Sequence, residues 1–98
     1  MCGITGIFDT RSRRDFDRAL LQRMNDSQAH RGPDGEGLHL EPGVGLGHRR
    51  LSIIDISPAG HQPMLTDSGR TVIAYNGEVY NFQELRTQLE ARGRRFRS

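Results

Sequence analysis

Cysteine occurs once in this sequence, at position 2, directly after the initiator methionine. Excision of Met1, which so small a second residue permits, leaves one residue carrying both a thiol and a free α-amine. With ordinary pKa values of about 8.5 for a thiol and about 7.7–8.0 for an α-amine, the amine is poised near neutral pH to take the thiol proton, directly or through a water. Nucleophile and base then share a residue. The plain alternative is an incidental second residue on an unanchored terminus, and the rest of the chain decides between the two.

Further groups suited to chemistry lie downstream. Arg49 and Arg50 are adjacent, and a guanidinium is a planar fork that aims two donors at the two oxygens of a carboxylate. On a strand neighbouring side chains point to opposite faces, so only one of the pair can face a given site. Asn76-Gly77 is the commonest two-residue hairpin turn in antiparallel sheet. Glu78 follows at once, and by itself it reads as a surface strand glutamate. His30, His39, His48 and His61 are scattered, with no spacing that suggests a relay or a metal centre, so no metal site is expected. A single cysteine forms no intramolecular disulfide and no structural zinc site.

The elements that must position these groups follow from the same sequence. Residues 3–9 are a short apolar run with β-branched residues, predicting a strand that begins almost at Cys2. Asp15 is the expected N-cap of an amphipathic helix reaching about Ala29, with Phe16, Leu20 and Met24 at four-residue spacing and Ala19 and Leu21 widening the stripe. Three glycines and a proline in residues 30–37 end it. Residues 38–41 and 44–48 read as two short strands turning at Pro42-Gly43, and residues 51–56 as a further strand before an irregular stretch over 57–63. A strand over 71–75, a turn at Asn76-Gly77 and a short return over 78–80 precede a second helix. That helix is capped by Asn81, with Glu84 completing a capping box, Phe82, Leu85 and Leu89 forming its apolar face, and Gly93 ending it. Phe96 among arginines has the pattern of a strand just starting. Strands and helices in runs, without βαβ alternation, predict an α+β fold with antiparallel sheet, both helices (near 15–29 and 82–92) covering the same side.

At 98 residues, 34% hydrophobic and without tryptophan, the chain is one domain at most with a modest core. Its positive charge is 14 arginines and no lysine against 12 carboxylates, for a net +2. The all-arginine set fits a GC-rich coding bias as readily as guanidinium chemistry, and names no partner by itself. No basic segment precedes a long apolar run, so neither a targeting nor a membrane segment is read, and a soluble, cytoplasmic protein is expected.

Five blocks in order carry a family resemblance. Cys2-Gly3-Ile4-Thr5-Gly6-Ile7-Phe8 resembles the opening of class II glutamine amidotransferases, members of the N-terminal-nucleophile hydrolase superfamily. His30-Arg31-Gly32-Pro33-Asp34-Gly35-Glu36-Gly37, His48-Arg49-Arg50-Leu51-Ser52-Ile53-Ile54-Asp55, Gln62-Pro63-Met64 and Asn76-Gly77-Glu78-Val79-Tyr80-Asn81 are similar to the successive motifs of the glutaminase domain of asparagine synthetases. The Arg-Gly-Pro-Asp form of the second block marks that branch. The resemblance implies an αββα sandwich with antiparallel sheets, of which these residues form part. It implies Cys2 as nucleophile and Asn76 and Gly77 as oxyanion donors. Arg50 would bind the glutamine α-carboxylate and Glu78 its α-ammonium, while the backbone around Leu51, Ile53 and Ile54 lines the pocket. Arg31, Gly32, Pro33 and Asp34 read as a turn whose Arg and Asp satisfy loop backbone groups.

The family's glutaminase domain is longer than this chain, and a further aspartate that helps bind the substrate amine follows the position of Ser98. A synthetase domain with an ATP-binding Ser-Gly-Gly-type loop comes after it. The expectation is therefore a fragment, inactive alone, needing no cofactor in these residues and working with glutamine and the remainder of the same enzyme, where ATP and Mg would act. Exposed sheet edges would favour association, a homodimer included. Two other readings compete: the same glutaminase half serving a different carboxylate acceptor, and a small polyanion-binding module built on Arg92, Arg94, Arg95 and Arg97, for which stacking aromatics are too few. Neither nucleic acid nor membrane is an expected partner.

Overall fold

The computed structural model of the chain describes residues 2–52 and 57–96. β1 (Gly3–Phe8), β2 (Gly35–Glu41) and β3 (Val44–Arg50) form an antiparallel sheet in the order β1-β3-β2. β1 begins one residue after Cys2, and β2 returns into β3 through the predicted turn at Pro42-Gly43. β2 starts at Gly35, ahead of the expected residue 38, because Gly35 and Gly37 pair with Arg50 and His48. The absence of a side chain at Gly37 leaves room for His61 and the Gln62 carbonyl, which lie against it.

α1 (Arg18–Asp26) packs on all three strands. Its cap is Asp17, whose carboxylate accepts from the Ala19 N–H at 3.0 Å, and not the expected Asp15. The reason lies upstream. The Asp9 carboxylate accepts from the backbone N–H groups of Arg11, Ser12 and Arg14 and from the Ser12 hydroxyl, while Gly43 N–H donates to the Arg14 carbonyl. The chain is thus tied to the β2–β3 turn through Arg14 and can wind into a helix only afterwards. α1 ends at Asp26, short of Ala29, and continues as i→i−3 turns to Gly32.

Among the described residues Leu21 of α1 is the fully buried large apolar side chain, worth ~1.5–3 kcal/mol by removal from water. β3 offers glycines to the helix at this point. A Cβ on Gly47 would stand 2.6 Å from Thr5 Cγ2 and 3.0 Å from Asn25 Oδ1, so α1 lies this close because Gly47 has none.

β4 (Met64–Leu65) and β5 (Val72–Ile73) make a second, two-stranded antiparallel sheet. Its turn spans residues 66–71, closed by Thr66 N–H to Thr71 O at 3.0 Å. The sequence reading put a hairpin at Asn76-Gly77 instead. Among the described residues left-handed φ values occur at Arg13, Gly43, Gly69 and Gly93 alone, so Asn76-Gly77 is not a type I′ turn, and residues 78–80 form no return strand. β5 ends at Ile73, before the expected residue 75. The strand expected over 51–56 falls largely on residues 53–56, outside the described residues; Leu51 and Ser52 have no regular structure, and neither has Phe96.

α2 (Phe82–Ala91) ends as expected at Gly93, with Arg94 N–H donating to Leu89 O and Gly93 N–H to Glu90 O, the paired bonds of a Schellman motif. The capping box does not form: Asn81 makes no side-chain cap bond. Nor does α2 share the covered side of the sheet with α1. It buries no residue, and Phe82, Leu85 and Leu89 each keep 39% of their surface exposed. The fold is α+β with antiparallel sheets.

Candidate active site

Strand alternation divides β3 into two working faces. Arg49 shares the α1 face with Gly45 and Gly47, whereas Arg50 and His48 share the opposite face. The register that sets Gly3 opposite Arg49 carries Cys2 to the Arg50 side, because residues directly opposite in an antiparallel pair point the same way. Cys2, Arg50 and His48 therefore occupy the face away from α1.

Cys2 is anchored there at both ends. Its sulfur accepts from the Leu51 N–H at 3.3 Å and lies 3.7 Å from the Leu51 carbonyl, while its own carbonyl accepts from Arg31 Nε at 3.3 Å. Asp34 takes the Ser52 N–H at 2.9 Å, and Asp34 N–H donates to Arg50 O. Arg31 and Asp34 thus satisfy backbone groups next to the thiol, as the sequence suggests. Leu51 acts through its peptide at the sulfur. Ile53 and Ile54 lie outside the described residues.

The two arginines have distinct jobs. Arg49 donates from Nε to Gly32 O at 3.1 Å and from Nη1 to Glu36 at 2.7 Å, with Asp26 at 3.9 Å, so it clamps loop, β2 and α1 together. Arg50 donates from Nη1 to Ser57 O at 2.7 Å, and its guanidinium lies against Gly60, where a Cβ would collide with it. These contacts set the plane of the fork on the Cys2 face.

Asn76, Gly77 and Glu78 are exposed and outside regular strand. The segment that leads into them is nevertheless held. Tyr75 O accepts from His48 Nε2 at 3.2 Å, and Tyr75 N–H donates to Gln62 Oε1 at 2.7 Å. His48 is fully buried, and burial pushes its pKa below the ordinary 6.5, with the Tyr75 carbonyl opposing this and the nearby Arg50 guanidinium adding to it. A neutral ring donating from Nε2 leaves Nδ1 as a bare acceptor, and among the described residues that atom has no partner. Reading the sequence missed both His48 and Gln62. The available signal was that His48 lies two residues from Arg50 on one strand, hence on its face.

Among the described residues no three His, Cys, Asp or Glu side chains converge as metal ligands, and no helix is long and apolar enough to cross a membrane.

Over residues 1–98 the sequence matches the model of a known family, the glutamine amidotransferase domain, and the chain belongs to it. Its relatives are consistent in kind. It is 42% identical over 98% of its length to asparagine synthetase [glutamine-hydrolyzing] 1 of Bacillus subtilis (strain 168), and 44% identical over 98% to asparagine synthetase [glutamine-hydrolyzing] 3 of the same organism. To asparagine synthetase B [glutamine-hydrolyzing] of Escherichia coli (strain K12) it is 39% identical over 90% of its length. The chain spans 15% or 16% of the length of these three relatives.

Proposed function

We propose that this chain supplies the glutamine-hydrolysing site of an asparagine synthetase-like enzyme, with Cys2 as an N-terminal nucleophile and the described elements forming part of an αββα sandwich. The observation that carries this reading is the common face of Cys2, Arg50 and the His48-held approach to Asn76-Gly77.

The chemistry follows from the groups. The α-amine of Cys2, exposed by loss of Met1, takes the thiol proton, and the sulfur attacks the side-chain carbonyl carbon of glutamine. The Leu51 N–H aimed at the sulfur is a donor available to its thiolate form. As the C=O bond becomes C–O⁻, the Asn76 amide and the Gly77 N–H receive the charge. The protonated amine returns its proton to the departing nitrogen, which leaves as ammonia with its electron pair. Water then attacks the γ-glutamyl thioester through a second oxyanion, regenerating the thiol and releasing glutamate. Arg50 holds the α-carboxylate in a bidentate grip and Glu78 the α-ammonium, so the amide reaches the sulfur in one orientation.

Ammonia would pass to a synthetase portion where ATP and Mg act on aspartate; no step in these residues runs through either. A cytoplasmic enzyme, working as one polypeptide with that portion and able to pair as a homodimer, completes the reading.

Blocking the α-amine tests it. In the complete gene product, Cys2→Ala and a form retaining Met1 behind a tag should both lose glutamine hydrolysis, while synthesis from free ammonia survives. A tagged, unprocessed enzyme hydrolysing glutamine at the normal rate would refute the amine as base.

A further inference from the structure

The backbone that carries Asn76 and Gly77 lacks the usual support of a sheet. β5 ends at Ile73, so the ladder that orders Val72 and Ile73 stops three residues before Asn76. Both peptide groups of Tyr75 are instead held by side chains. His48 Nε2 donates to its carbonyl from the centre of the three-stranded sheet, and Gln62 Oε1 accepts from its N–H from the segment that crosses Gly37. Each bond does for one peptide what a neighbouring strand would do. The carbonyl held by His48 belongs to the same peptide unit as the Asn76 nitrogen, so its plane fixes where Asn76 begins.

His48 also connects this segment to the nucleophile. It stands opposite Ile4 on β1, on the face that carries Cys2 two residues earlier. Among the described residues the ring's Nδ1 has no partner, an unmet acceptor that an apolar residue in the same place would not carry.

We infer that His48 and Gln62 are positioning residues for glutamine hydrolysis: by clamping the two peptide groups of Tyr75 they fix Asn76 and Gly77 as oxyanion donors relative to Cys2. This rests on the assignment of those donors above. The clamp touches no substrate, so its effect falls on the transition state, where donor placement matters most. Burial keeps the His48 ring neutral, in the form whose Nε2–H donates while the ring carries no charge.

The experiment compares four variants in the complete gene product, measuring glutamine hydrolysis and, separately, the rate at which iodoacetamide alkylates Cys2. Alkylation is a direct displacement at carbon that forms no oxyanion, so it reports thiol access and integrity of the β1 end without the donors. His48→Phe keeps the bulk and removes the donor; Gln62→Met keeps the length and removes the acceptor. Each should lower kcat about 100-fold, the scale of an ångström-sized misplacement, with KM for glutamine and the alkylation rate near wild type. His48→Gln, whose amide nitrogen reaches the place of Nε2, should recover most of the loss. Gln62→Met keeps the test alive if His48→Phe fails to fold, since Gln62 is only partly buried.

Wild-type kcat in both disabling variants would overturn the clamp, as would alkylation slowing in proportion to kcat, or His48→Gln falling as far as His48→Phe. Cys2→Ala is the fourth variant and separates this failure from that of the parent assignment. If it abolishes hydrolysis while the clamp variants stay active, the clamp alone is wrong. If it leaves hydrolysis intact, Cys2 is not the nucleophile and both fall.

Discussion

Arg49 and Arg50 are neighbours of identical chemistry with opposite employment, and β-strand alternation is what separates them. Arg50→Lys keeps a charge but loses the fork, so KM for glutamine should rise strongly, by tenfold or more, while kcat changes less. Arg49→Lys should leave KM alone and instead lower stability by about 1 kcal/mol in a urea titration, because its contacts to Gly32 O and Glu36 are structural and partly solvent-screened. Equal KM effects would show the assignment to be wrong. His48 makes a prediction about acid. Its folded pKa lies below 6.5, so near neutral pH and above it is neutral in both states, and its contribution is fully present. As pH falls below 6.5 the unfolded chain takes up the proton first, and stability drops until the folded ring protonates too. The urea midpoint should decline from pH 7.5 to 5.5 more steeply in wild type than in His48→Gln; equal slopes would refute it. What the sequence made legible was that Arg31 and Asp34 serve loop backbone groups and that Arg49 and Arg50 turn to opposite faces. His48 was not, since burial and the distant Tyr75 carbonyl that define its role have no local signature.

Among the elements, β1, the β2–β3 hairpin and the end of α2 were readable from strand pattern, Pro-Gly and Gly93. The start of α1 was not, because two aspartates compete for the cap and a long-range bond between Gly43 and Arg14 decides between them. The β4–β5 hairpin was only half readable. β5 falls inside the strand expected over 71–75, but the two residues of β4 have too little alternation to see, and the Asn76-Gly77 signal drew the turn to the wrong place. The packing of α1 onto β3 is the element on which the thiol face depends from behind. Gly47→Ala inserts a Cβ between Thr5 and Asn25 and should cost roughly 1–3 kcal/mol by lifting the helix, seen as a lower Tm. An unchanged Tm would mean that the helix yields at no cost.

For the molecule as a whole, burial is uneven. The three-stranded sheet and α1 hold the fully buried side chains Leu21, Asn25 and His48, while α2 shows Phe82, Leu85 and Leu89 to solvent and Tyr80 is 95% exposed. Hydrogen exchange measured on this chain should therefore give α2 amides the lower protection and β3 amides the higher; the reverse order would contradict the packing described.

The pairing of β1 with β3 bears also on the order of events in the life of the chain. Among the described residues, the contacts that orient Cys2 are made by residues 3–8 with 44–49, by Leu51 at its sulfur and by Arg31 at its carbonyl. These contacts run through the sulfur and carbonyl of Cys2 and through the strand that follows, so the sheet can zip and seat the sulfur before the α-amine is freed. On the mechanism proposed, trimming then converts a finished but silent fold into a reactive one, without any strand changing partner. Maturation becomes a matter of timing, with the peptidase setting when the site switches on and folding setting only where.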